Sequence, residues 1–399
     1  MKRRQFIQSG LSIAGMQLLP RLSFGQSLGG EFFLQFYMDG GWDTTLATEA
    51  WDFTSPPDEK KIYIEYANED RLPFASGYMP PSALPLKDYF DRMTIFNGMI
   101  MSSAEVGHPS TTTFALTGTP DGKEPNFSAN FLANFYDPKQ ASVLINATIE
   151  SGGKNFKTAS FEAINSIMNY VSQDLDSGSG SVIDKAYYDL EIVAKKFTAV
   201  NNQYKPYLDQ ITDMEAKQLC LGMLSGYFPA AALKTRGFLD THTGHLNEHK
   251  KSIFENFQFI KNYLDALVKV PWGETGKSLL DVTTVVITSE FTRTPALNIS
   301  KGKDHNPFSN SMIVMSPKFK PGIVGRSRLL DAKLSPIGVS TLVAMPLHQD
   351  SLEPLLQEKD TFMVKPSNIY ASLLDASGKL DANSPEAFRK AQLLKSIYR

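Results

Sequence analysis

Four clusters of polar residues carry the chemistry this chain could do. The first, Asp39-Gly40-Gly41-Trp42-Asp43-Thr44-Thr45, sets two carboxylates beside two hydroxyls. Carboxylates so placed can bind a cation or orient a proton; equally, Asp39 could do no more than cap a turn. The second is Gly107-His108-Pro109-Ser110-Thr111-Thr112-Thr113. Proline suits a first helical turn, and the free N–H groups of a helix start can seat phosphate or sulfate. The hydroxyls there could include a nucleophile, or Ser110 could simply cap the helix. The third is Asp240-Thr241-His242-Thr243-Gly244-His245, with His249 beyond it, so that three of the six histidines lie within eight residues. His245 and His249, at i and i+4, would share a helix face. Imidazole with carboxylate suits zinc or a similar divalent ion, and a solvated helix start is the plainer reading. The fourth joins Glu290-Phe291-Thr292-Arg293 to Lys303-Asp304-His305. It could hold a cation and grip an oxyanion through Arg293, or be a surface ion pair.

These clusters need elements to position them. Apolar runs predict buried strands at 31–38, 93–98, 142–146, 282–288 and 311–315, the β-branched run Val282–Thr288 most clearly. Helical spacing covers Pro109–Leu116, Ile183–Val200, Tyr204–Leu224, His245–Val270, Pro366–Leu374 and Pro385–Tyr398, with a polar, glycine-rich break at Asp176–Ser181. Strands separated by helices predict a doubly wound α/β fold with a largely parallel sheet flanked by helices. Residues 26–399 read as one such domain with a helical insertion at about 157–270. Ligands of such sheets sit at the carboxyl ends of the strands, where Asp39, the His108 segment and Glu290 fall.

Residues 1–25 read differently. Met1-Lys2-Arg3-Arg4-Gln5-Phe6 precedes a weakly apolar run from Ile7 to Leu19 and a small-x-small triplet, Ser23-Phe24-Gly25. That order is a signal peptide, and the adjacent arginines point to the twin-arginine route. The run is shorter than the roughly 20 residues of a spanning helix. The expected destination is the periplasm or cell envelope, with the twin-arginine translocase as a transient partner. The net charge of −2 and the lack of a long basic run argue against nucleic acid as a partner. Cys220 has no second cysteine to pair with and reads as a small buried apolar residue, and His348 stands apart from other polar candidates.

Taken together, Arg3-Arg4-Gln5-Phe6, Asp39-Gly40-Gly41, Phe238-Leu239-Asp240-Thr241-His242, Val285–Pro295 and Gly302-Lys303-Asp304-His305 resemble a family of twin-arginine-exported bacterial proteins of unknown function. That family is placed with the alkaline phosphatase and sulfatase superfamily. The resemblance implies a doubly wound α/β fold with one or two divalent ions, zinc first and manganese or calcium as alternatives. It implies metal ligands at Asp39, Asp240 with His242 or His245, Glu290, and Asp304-His305. The stretch Pro109 to Gly118 is similar to the sulfatase nucleophile helix, but Gly107 stands where that pattern has Cys or Ser. Ser110 or Thr111 would then replace the nucleophile, or no covalent step occurs. Glu290-Phe291 stands where the superfamily has Asp-His, which implies one lost ligand or a single ion. Two functions follow. One is a metal-dependent hydrolase of phosphate or sulfate esters, with Arg293 or the helix at 108 holding the oxyanion of a small anionic ester or an envelope polymer. The other is a degenerate binding or assembly protein, without a metal, that works through a protein partner.

Overall fold

A computed structural model of the protein describes residues 31–53, 55, 57–101, 107–120, 124–136, 142–146, 158–162, 164, 182–356 and 359–399. The expected signal segment and the Asp176–Ser181 break lie outside these residues.

Eight strands form the central sheet: β1 (Phe32–Tyr37), β2 (Met93–Asn97), β3 (Val143–Ile145), β4 (Thr158–Ala159), β5 (Ala230–Lys234), β6 (Thr283–Thr288), β7 (Ser311–Met315) and β8 (Gly322–Val324). Their order is β8-β2-β7-β6-β1-β5-β3-β4. Every neighbouring pair is parallel except those of β7, which runs antiparallel to β2 and β6. Strand β1 is buried along its whole length, as a central strand covered on both faces must be. Its side chains alternate between two cores. Phe32, Leu34 and Phe36 enter one, and Phe33 and Tyr37 enter the other. Gln35 falls on the second face, where its amide donates to the Tyr370 hydroxyl at 2.8 Å.

Helices cover both faces. On the first lie the short α1 (Thr44–Ala47), α5 (Met214–Ser225) and α6 (His245–Lys269). Ile253, Phe257, Ile260, Leu264 and Leu267 recur at three- and four-residue spacing along α6 and bury against β1 and its neighbours. On the second lie α2 (His108–Thr117), α3 (Phe127–Phe135) and α7 (Pro366–Ala376). This is the doubly wound α/β arrangement expected.

Three expectations are corrected. Residues 157–270 are not a helical insertion, because β5 lies within them and pairs with β1 and β3 inside the sheet. Its Ala-Ala-Ala-Leu-Lys sequence is helix-prone, and burial between two strands overrides that preference. The helix placed at Tyr204–Leu224 is two: α4 (Val182–Leu208) ends, and Asp213 caps α5 by accepting from the Ala216 N–H at 3.0 Å. The closing stretch after Pro385 holds only the single turn Glu386–Arg389 and a 3-10 turn at Lys395–Ile397.

Candidate metal centre

The carboxyl ends of β1, β2, β5 and β6 feed four loops that meet over the middle of the sheet. After β1, Gly40 has φ +105°, and a Cβ there would lie 2.4 Å from the Asp240 backbone nitrogen. The two loops touch backbone to backbone, which only glycine permits. The Gly40 N–H donates to Glu290 Oε1 at 2.8 Å, which ties the β1 loop to the β6 loop.

Glu290 is fully buried and turns His108 toward the centre. The His108 Nδ1–H donates to Glu290 Oε1 at 2.8 Å, leaving Nε2 3.5 Å from Asp240 Oδ2. His305 Nε2 lies 3.4 Å from the other Asp240 oxygen, Oδ1. One donor atom each from His108, Asp240 and His305 lies within 4.8 Å of the others. His242 stands at the rim, with Nε2 at 2.9 Å from His305 Nε2 and 3.1 Å from Asp240 Oδ1, and Nδ1 at 2.9 Å from Asp304 Oδ1. Phe291, fully buried, packs against the rings of His108 and His305 at 5.0 and 4.5 Å between centroids.

The electrostatics follow from this packing. The hydrogen bond to Glu290 raises the His108 pKa, against the opposing effect of burial. Burial acts to raise the Asp240 carboxyl, but the Arg293 guanidinium outweighs it and holds the pKa below the usual range. Glu290 is also lowered: burial opposes this, and the hydrogen bonds from His108, the backbone and Ser289 prevail.

The structure brings Asp240, His242, Asp304 and His305 together. Other expected site residues stand elsewhere. Asp39 is not in the cluster; it pairs with Lys234 at the end of β5, Oδ2 to Nζ 2.6 Å. Glu290 orients His108 rather than facing the donors' common centre. His245 is buried beside His249, because Leu246 and Asn247 leave helical geometry and turn the first residues of α6 inward. Arg293 is fully buried, and four of its five N–H donors go to the carbonyls of Gly40, Gly41 and Lys303 and to Asp240, so it presents no open face for an oxyanion. The Thr111 hydroxyl turns back onto the Gly107 carbonyl at 2.8 Å, and Ser110, half-buried in the same turn, joins none of the contacts around Asp240. From sequence, His108 reads only as part of an anion seat. Its single signal was an imidazole placed directly before the helix-starting Pro109 and after a predicted strand.

Two imidazoles and a carboxylate form a donor set suited to a zinc-like divalent ion, and Glu290 behind His108 supplies the carboxylate–histidine pairing that fixes such a ligand. Residues 214–363 match a family described as a protein of unknown function (DUF1501). No curated protein matches the chain. Several solved structures are similar at low identity. A 2-O GAG sulfatase is 10% identical, with TM-score 0.37, over 92% of this chain and 73% of that one. The lipoteichoic acid synthase LtaP from Listeria monocytogenes is 8% identical, with TM-score 0.33, over 86% and 79%. A protein in the alkaline phosphatase superfamily from Vibrio parahaemolyticus is 10% identical, with TM-score 0.33, over 92% and 82%.

Proposed function

We propose that this chain is exported by the twin-arginine route to the periplasm or cell envelope and there hydrolyses a phosphate or sulfate ester with one bound divalent ion, zinc first. The observation that carries this reading is the convergence of His108, Asp240 and His305 at the carboxyl ends of the sheet, with one donor atom of each within 4.8 Å of the others. His108, Asp240 and His305 would hold the ion, and His242 stands where it could add a fourth donor. Such an ion polarises an ester oxygen and lowers the pKa of a bound water. Glu290 keeps the His108 ring turned and its Nε2 free. The start of α2 lies beside the cluster and favours an anionic group. Asp304 accepts from His242 Nδ1 and can take or return a proton at that atom. With Thr111 committed to its own helix and Ser110 outside the contacts around Asp240, this reading takes water as the nucleophile, with no covalent intermediate. The family resemblance sets Phe291 where the superfamily has a histidine, which favours one ion over two.

A second reading, a binding or assembly protein on this scaffold, is favoured by one observation: Arg293 is fully buried with four of its five N–H donors held by the protein, so it presents no grip to a substrate oxyanion.

Elemental analysis of the chain purified without chelator, beside a His108→Ala/His305→Ala variant, separates the two. About one zinc, manganese or calcium per chain, lost in the equally folded variant, supports the hydrolase and warrants an ester screen. Equal metal in both samples, or none in either, overturns it and favours the binding reading.

A further inference from the structure

Behind the metal centre lies a buried polar assembly outside the set of proposed ligands. Asp43, His245, His249 and Lys303 are all fully buried. Their hydrogen bonds run as a chain through Thr241, and one backbone donor fixes the position of every proton along it. The Asp43 N–H donates to His249 Nε2 at 2.8 Å. Neutral His249 must then carry its hydrogen on Nδ1 and donate it to Thr241 Oγ1 at 2.9 Å. The single hydroxyl hydrogen of Thr241 is left for His245 Nδ1 at 2.8 Å. His245 therefore carries its hydrogen on Nε2, which makes no hydrogen bond among the described residues and meets Asp43 Oδ2 through an electrostatic contact at 3.3 Å. Only a hydroxyl can serve two imidazoles in this way, accepting from one and donating to the other.

The same carboxylate reaches the second ligand loop. Lys303 Nζ donates to Asp43 Oδ2 at 2.5 Å and to the Tyr63 carbonyl at 3.0 Å, and the next residues in the chain are Asp304 and His305. The two loops also touch each other: the Lys303 N–H donates to the Thr241 carbonyl at 3.1 Å, and a Cβ on Gly302 would lie 1.9 Å from the His242 carbonyl oxygen. Thr241 stands between Asp240 and His242 in sequence.

We propose that Asp43 and Thr241 are positioning residues that anchor the Asp240–His242 loop and the Lys303–His305 loop to one buried carboxylate and so set the spacing of the metal donors. The proposal rests on the metal reading above. The protein spends four buried polar side chains on holding two loops in register, and each loop carries ligands that α2 and the sheet do not fix.

The test uses the full chain with Thr241→Val, which keeps the side-chain shape and removes the hydroxyl, and Thr241→Ser, which keeps the hydroxyl. One readout is zinc affinity by competition with a chromophoric chelator. The other is the nitrogen-15 spectrum of the metal-free imidazoles. Wild type and Thr241→Ser are expected to show the Nδ1–H tautomer at His249, the Nε2–H tautomer at His245 and equal zinc affinity. Thr241→Val is expected to lose that tautomer pattern and to weaken zinc binding about 10–100-fold. A merely structural threonine would lower the unfolding midpoint of the metal-free variant and leave the zinc affinity of its folded fraction unchanged, which overturns the proposal. Unchanged tautomers in Thr241→Val overturn it as well. A wild type with this tautomer pattern intact that binds no zinc sinks the metal reading itself and, with it, the purpose assigned to the buried assembly.

Discussion

His245 and His249 are neutral because burial outweighs the attraction of Asp43, and this makes stability depend on pH. Burial lowers the His245 pKa from 6.5 to about 4, and His249 is lowered in the same direction. The unfolded chain therefore binds protons that the folded chain refuses as pH falls from 6.5 toward 4. This stability is fully present above pH 6.5 and is lost as pH drops through that window, by up to about 3 kcal/mol for a shift of this size. Urea unfolding at stepped pH should show that decline in wild type and a shallower one in His245→Gln; identical slopes would remove His245 as its source. At this scale the sequence was informative in part. Asp240, His242 and His305 stood out because imidazoles and carboxylates crowded together. His108 did not, since one histidine before a proline carries no such density. Asp39 misled because its place after β1 fits a ligand, and only the fold brings Lys234 beside it.

Strand β5 decides how the elements are counted. Three alanines leave little side chain for the helices packed over the sheet to accommodate, and Ala231 is buried in the core shared with α5 and α6. Ala231→Leu would overfill that layer and should cost about 1–3 kcal/mol, read as a lower urea midpoint at unchanged slope. A change within about 0.5 kcal/mol, the range of surface substitutions, would mean that this segment packs loosely. The long apolar strands β1, β6 and β7 were readable because β-branched and aromatic runs rarely do anything else. Strand β5 was not, because alanine prefers a helix until two neighbouring strands claim it. The start of α6 was missed for a related reason: i and i+4 spacing assumes regular helix geometry, which Leu246 and Asn247 depart from.

At the scale of the molecule, no helix among the described residues is long and apolar enough to cross a membrane. Export is proposed on Arg3 and Arg4 and the weakly apolar run behind them. Replacing both with lysine should leave the protein folded in the cytoplasm, while the wild-type chain is recovered from the periplasmic fraction; equal recovery of both from the periplasm would overturn the twin-arginine reading. The sheet order adds a consequence for timing. His108 and Glu290 are 182 positions apart, and Asp240 and His305 are 65 apart, so no local segment contains a working donor set. Contacts of such separation form late, after the entropy of closing long loops has been met. On the proposed metal reading, an ion would not seed this fold in the way it seeds a small finger whose ligands sit on adjacent turns. It would load only a chain whose sheet is already complete, so the compartment where folding finishes would be the one that chooses the metal.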